Sequence, residues 1–130
     1  MLHVSNLDVR YSEVQAVTSV DVEINSGEIV SITGANGAGK SSVLNAISGI
    51  HSPSGGEILF EGENITGLKS HAVVRKGIVQ VPEGRQLFPT LSVRENLLAG
   101  RHTSCGFVLN HDIPEPVSYT HLTLPTSDLV

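Results

Sequence analysis

Gly34-Ala35-Asn36-Gly37-Ala38-Gly39-Lys40-Ser41-Ser42 is the stretch that decides the fold. It matches the P-loop pattern G-x-x-x-x-G-K-[ST] in full. The spacing has a chemical reason. Glycines let the backbone curl so that successive N–H groups point inward at phosphate oxygens. The next helix presents its positive N-terminal end to the same anion. Lys40 can reach β- and γ-phosphates, the Ser41 hydroxyl can ligate Mg²⁺, and Ser42 can donate to an α-phosphate.

The flanks fit the motif. Glu28 to Thr33 is a compact β-branched run that predicts a buried strand leading into the loop. After the loop, Val43, Ile47 and Ile50 recur at helical spacing with Leu44 beside them. Gly49 and Pro53 mark the helix end.

Upstream, Val4, Leu7 and Val9 predict one strand, and Val17, Val20, Val22 and Ile24 a second, closed by a Ser26-Gly27 turn. Downstream, Ser54-Gly55-Gly56 reads as a turn, Glu57 to Glu61 as a half-exposed strand, and His71 to Lys76 as a short helix. Gly77 to Val81 predicts another buried strand, stopped by Pro82. Leu91-Ser92 opens a further helix, with Ser92 as N-cap and Glu95 as its capping-box partner. From His102 to Val130 no periodicity remains, and Pro114, Pro116 and Pro125 break it up.

Composition narrows the function classes. A chain of 130 residues fits one domain. The formal charge of −5 and the lack of a basic run argue against a nucleic-acid surface. Cys105 is the only cysteine, so no internal disulfide forms and a reducing compartment is compatible. The opening Met1-Leu2-His3-Val4 does not read as a signal peptide, and no window approaches the ~18–20 apolar residues of a bilayer span. His3, His51, His71, His102, His111 and His121 show no metal-ligand spacing and read as surface or turn residues.

Several segments together resemble the ATP-binding subunits of ABC transporters. They are Gly27-Glu28-Ile29-Val30, the loop Gly34 to Ser42, and Ser54-Gly55-Gly56-Glu57-Ile58. Val81-Pro82-Glu83-Gly84-Arg85-Gln86-Leu87-Phe88-Pro89, followed by Leu91-Ser92-Val93-Arg94-Glu95-Asn96-Leu97, is similar to the branched-chain amino-acid importers in particular. The resemblance covers about residues 2–100 and implies an α/β fold. The implied fold is the N-terminal portion of a P-loop NTPase of the ABC ATPase kind, an antiparallel β-region plus an incomplete parallel core sheet.

That resemblance implies roles for individual residues. Tyr11 matches the aromatic position that stacks on adenine; its plainer reading is an amphipathic Tyr at a strand end. Gly34, Asn36, Gly37, Ala38, Gly39, Lys40, Ser41 and Ser42 match the nucleotide-binding loop. Glu83 falls where most of the family has the Q-loop Gln, and it would meet Mg²⁺ through water; its plainer reading is a solvated loop carboxylate. Arg85 faces either a membrane partner or solvent.

The implied ligands are ATP and Mg²⁺, with water attacking the γ-phosphate in line while Mg²⁺ and Lys40 stabilise charge. The implied partners are a second ATP-binding subunit, two transmembrane permeases and, indirectly, an extracytoplasmic substrate-binding protein. No nucleic acid is expected. The implied location is the cytoplasmic face of the plasma (inner) membrane, held peripherally.

The signature motif, the Walker B strand ending in Asp-Glu, the D-loop and the switch His are not found. No apolar run ending in Asp-Glu occurs after Gly100. Val117 to Thr126 has no counterpart in the family and looks like translated sequencing-adapter sequence. The expected division is therefore residues 1–100 as part of the nucleotide-binding domain and 101–130 as a non-family tail. Two other readings stay open on sequence alone: a soluble ABC-type ATPase of DNA repair or translation, and a fragment that binds nucleotide without turning it over. Strand segments that lack their parallel neighbours would leave unpaired edges and exposed apolar surface.

Overall fold

The computed structural model describes residues 1–84 and 86–101. The expectations for Arg85 and for residues 102–130, including three of the histidines and the adapter-like stretch, lie outside the described residues. The chain divides into two compact units, Met1–Arg85 and Gln86–Val130. Among the described residues no helix is long and apolar enough to cross a membrane.

The first unit is built on a four-stranded antiparallel sheet of order β2-β1-β3-β4, from β1 (Leu2–Tyr11), β2 (Val14–Ile24), β3 (Gly55–Phe60) and β4 (Glu63–Asn64). β1 is central and pairs Val4 with Val22 on one side and with Ile58 on the other. Its apolar residues do not keep a period of two, since Val4 and Leu7 are three apart. The register shifts between them, with Asn6 left-handed at φ 49°, so Leu2 and Val4 share the core with Leu7 and Val9. β2 answers in kind between Val17 and Val20, where Ser19 sits at φ 48°. Local hydrogen bonds offset the strain: Ser19 N–H donates to Asp8 Oδ1 at 2.9 Å, and Asn6 N–H to Asp21 Oδ1 at 2.7 Å.

Helix α1 (Lys40–Ile47) covers this sheet with Val43, Ala46 and Ile47. Leu7, Val9 and Ile58 are fully enclosed, each contributing about 1.5–3 kcal/mol of hydrophobic stabilisation. The helix ends one turn earlier than the Val43, Ile47, Ile50 spacing predicts. Ser48 caps it, its hydroxyl bonding Leu44 O at 2.9 Å, and the N–H groups of Ile50 and His51 both turn back to Asn45 O. Ile50 is therefore 60% exposed. Gly55 and Gly56, expected in a turn, instead open β3, because Gly55 pairs with Asp8 of β1. Helix α2 (Ser70–Arg75) forms one residue earlier than expected and buries Val73.

The two runs read as buried strands form none. Residues 28–33 and 77–81 belong to no sheet, Gly77 sits in a turn at φ 105°, and Ile29 and Val81 are 95% and 89% exposed. An apolar run takes on strand structure only where a neighbouring strand answers its N–H and C=O groups. All four strands of the described sheet are antiparallel and satisfy one another. Of the expected architecture, the antiparallel region is thus formed, and among the described residues no parallel pair of strands is.

In the second unit, α3 (Val93–Arg101) begins as its sequence predicts. Ser92 N–H donates to Glu95 Oε2 at 2.7 Å, and Glu95 N–H to Ser92 Oγ at 3.3 Å, a reciprocal capping box. The backbone and side-chain hydrogen bonds from Ser92 hold the Glu95 carboxyl below its ordinary value of 4.5. A depressed carboxylate stabilises the folded form above its unfolded value, and that contribution disappears as pH falls through the folded one. The helix start should accordingly loosen on acidification below about 4.5. Amide chemical shifts at residues 93–96 should report this, and Glu95→Gln should flatten their pH dependence between the two states. An unchanged profile in that variant would remove Glu95 as the cause.

Candidate nucleotide-binding site

The loop of residues 34–39 follows a segment outside the sheet and runs into the first turn of α1. Ala38 N–H donates to Ala35 O at 3.1 Å, closing a turn across the loop. Lys40 folds back over it, with Nζ donating to Gly34 O at 2.7 Å and to Ala35 O at 2.6 Å. The ammonium is thus held at the start of the loop by neutral carbonyl acceptors.

The start of α1 is bare. Gly39 is its N-cap residue and provides no side-chain cap, and the first turn holds no acidic residue. An α-helix leaves its first N–H groups without intrahelical partners. Here the helix that starts so opens with Lys40, whose ammonium folds back to the loop carbonyls. A polyanion fits this donor set: it would take the uncapped N–H groups and replace the two carbonyls on Lys40.

Gly39 fixes where the loop sits. Its φ is +91°, and a Cβ there would lie 2.6 Å from Ala16 O and 3.1 Å from a Val17 methyl. Only glycine lets the loop press so closely on β2. Ser41 is exposed and Ser42 half-buried in the first turn of α1; Asn36, Gly37 and Ala38 are exposed at the loop's tip.

Tyr11 stands at the end of β1, paired with Val14 across the hairpin, and is 39% exposed. Its ring stacks on His51, with centroids 4.3 Å apart and planes 29° from parallel. His51 Nε2 lies 2.9 Å from Arg10 O, so this nitrogen carries the hydrogen and donates. Of the histidines read as surface or turn residues, His3 and His71 are exposed, and His51 lies half-buried in the bend after α1. No spacing rule marks His51; its partner is 40 positions away and meets it only through the pairing of β1 with β3.

Glu83 is exposed in a turn with Gly84, and among the described residues no hydrogen bond joins it to Ser41. The segment leading to it is tied to α1. Gln80 Nε2 donates to Asn45 Oδ1 at 3.0 Å, and Gln80 Oε1 meets the Ser48 hydroxyl. Neither Asn45 nor Gln80 stands out in the sequence.

Comparison with known proteins places this arrangement. The family model for the ABC transporter matches residues 17–125. The chain belongs to the ABC transporter family. The matched span runs past residue 100. Among curated members, the high-affinity branched-chain amino acid transport ATP-binding protein BraG of Pseudomonas aeruginosa is 45% identical over 112 residues, 86% of this chain and 46% of that protein. LivG of Escherichia coli K12, with the same description, is 38% identical over 102 residues, 78% of this chain and 40% of that one. The chain thus spans less than half the length of these curated relatives.

Solved ABC cassettes share the fold. A dimeric bacterial ABC transporter cassette superposes with a TM-score of 0.67 at 29% identity, over 75% of this chain and 45% of that one. A dimeric cassette in a post-hydrolysis state bound to ADP and Pi gives 0.63 at 28%, over 74% and 44%. The α/β P-loop NTPase class expected from the sequence is therefore the fold family of this chain.

Proposed function

We propose that this chain carries the nucleotide-binding half of an ATP-driven importer subunit whose whole protein couples ATP hydrolysis to branched-chain amino-acid uptake. The observation that carries the reading is Lys40, bonded back to the glycine-rich loop at the head of an uncapped helix. Gly34, Asn36, Gly37, Ala38 and Gly39 shape the cradle, Lys40 neutralises β- and γ-phosphates, and Ser42 donates to the α-phosphate. Ser41 would hold Mg²⁺ through its hydroxyl, and Glu83 would meet the ion through water. Bound Mg²⁺ would supply positive charge to the phosphate oxygens. Tyr11 receives the adenine.

In the whole protein the proposed partners are a second ATP-binding subunit, two permeases and, through them, an extracytoplasmic substrate-binding protein, at the cytoplasmic face of the membrane. The branched-chain assignment rests on the relatives named above. Co-purification of the full-length protein with a membrane complex supports it; a full-length protein that stays with the soluble fraction would favour an ABC ATPase outside transport.

Tyr11 provides the test of nucleotide over bare phosphate. Stacking needs a π-face and no hydroxyl. Tyr11→Ala should weaken ATP binding by roughly five- to ten-fold, a loss of about 1–1.5 kcal/mol. Tyr11→Phe and Tyr11→Trp should retain it. Calorimetry on the four proteins decides: a Phe variant as weak as the Ala variant would replace stacking with a hydrogen bond.

A further inference from the structure

We propose that His51 is a positioning residue that holds Tyr11 ready for a purine base, an inference resting on the adenine role proposed for Tyr11. The two rings stack at 4.3 Å, which covers one face of the phenol while the residue stays 39% exposed. Tyr11 sits at a strand end, where Ser12, the next residue, turns left-handed at φ 53° and the hairpin reverses. A side chain at such a place has few neighbours to fix its rotamer. His51 supplies one, and it is itself fixed, because its Nε2–H is committed to Arg10 O. One imidazole thereby grips both the ring of Tyr11 and the backbone immediately before it.

The origin of His51 matters as much as its contact. It lies just past the end of α1, and its own N–H donates to Asn45 O of that helix at 3.1 Å. The same helix presents Lys40, Ser41 and Ser42 at its other end. A single rigid element therefore carries the phosphate donors at its start and the support for the base-stacking ring at its finish. The three-layer stack of base, Tyr11 and His51 sets the distance between the two ends of the ligand, and a ring already held loses less freedom on binding.

The experiment uses the full chain with two probes, ATP and inorganic triphosphate, measured by calorimetry. His51→Ala should weaken ATP about three- to ten-fold, the scale of one side chain left to be ordered on binding, with triphosphate unchanged. His51→Phe, which keeps a stacking face, should retain most of the ATP affinity. His51→Leu fills the volume without a π-face and should resemble the Ala variant, giving a second route if that one folds poorly. In a Tyr11→Ala background, His51→Ala should add nothing. Equal losses for ATP and triphosphate would reduce His51 to a structural prop and overturn the proposal. A Tyr11→Ala loss without a His51→Ala loss would overturn it while leaving the adenine reading intact. No Tyr11→Ala loss would remove both.

Discussion

Lys40→Ala should lower the affinity of this chain for ATP by about ten- to over a hundred-fold, because a charge-assisted contact contributes roughly 1.5–3 kcal/mol. The geometry makes binding an exchange. Lys40 Nζ already bonds Gly34 O and Ala35 O, so phosphate oxygens must displace two neutral acceptors. They win because an anion is a stronger acceptor for an ammonium than a carbonyl is. The alanine variant loses the charge, while the freed carbonyls turn to water at little cost, since the loop is exposed. Its fold should survive. Lys40→Arg should not rescue binding, because a planar fork does not replace a compact ammonium between two loop carbonyls. Calorimetry with ATP and Mg²⁺ on wild type and both variants tests this, and equal affinities for wild type and Lys40→Ala would sink the assignment.

Gly39→Ala should be the most damaging small substitution in the loop. A residue with a Cβ loses about 1–2 kcal/mol at such a positive φ. Here the added methyl also meets Ala16 O at 2.6 Å and a Val17 methyl at 3.1 Å. Those are backbone and core atoms of β2, so they cannot swing aside. The expected loss is roughly 2–5 kcal/mol, within the range of overpacking combined with strain. Gly37 provides the control: it has φ +82° but nothing within 4 Å of an added Cβ, so Gly37→Ala should lose only the conformational part. Urea midpoints for the two variants measure the difference. Equal midpoints would show that the loop is not seated on β2 as described.

Much of this arrangement was legible from local chemistry. The glycine spacing, the helix after it and the Ser92–Glu95 box all depend on residues within a few positions of one another, and each forms as its sequence dictates. The sheet was legible in outline, because Val4, Leu7 and Val9 cluster closely and Val20, Val22 and Ile24 alternate. The paired bulges at Asn6 and Ser19 were not: each looks like a lapse in alternation until the other strand supplies a matching one.

Residues 28–33 and 77–81 show the opposite failure. Their composition favours strands, but strand structure belongs to a pair, and a run of β-branched residues cannot specify a neighbour. The candidate site divides the same way. Lys40 and Ser41 are announced by a motif, whereas the Tyr11–His51 stack and the Asn45–Gln80 bond join residues 40 and 35 positions apart and leave no trace in spacing.

The core of the first unit has a consequence for how the chain comes into being. Among the described residues, its enclosed side chains all lie between Leu2 and Val73. A ribosome releases residues in that order, at about 5–20 per second. The β1–β2 hairpin can close on neighbours in sequence, α1 can settle on it, and β3 and β4 complete the sheet once Asn64 has emerged. Leu7, Val9 and Ile58 can thus be shut away from water as soon as Val73 has been made. The phosphate cradle, pressed on β2 through Gly39, can then form during translation, before Glu83 is added to the site.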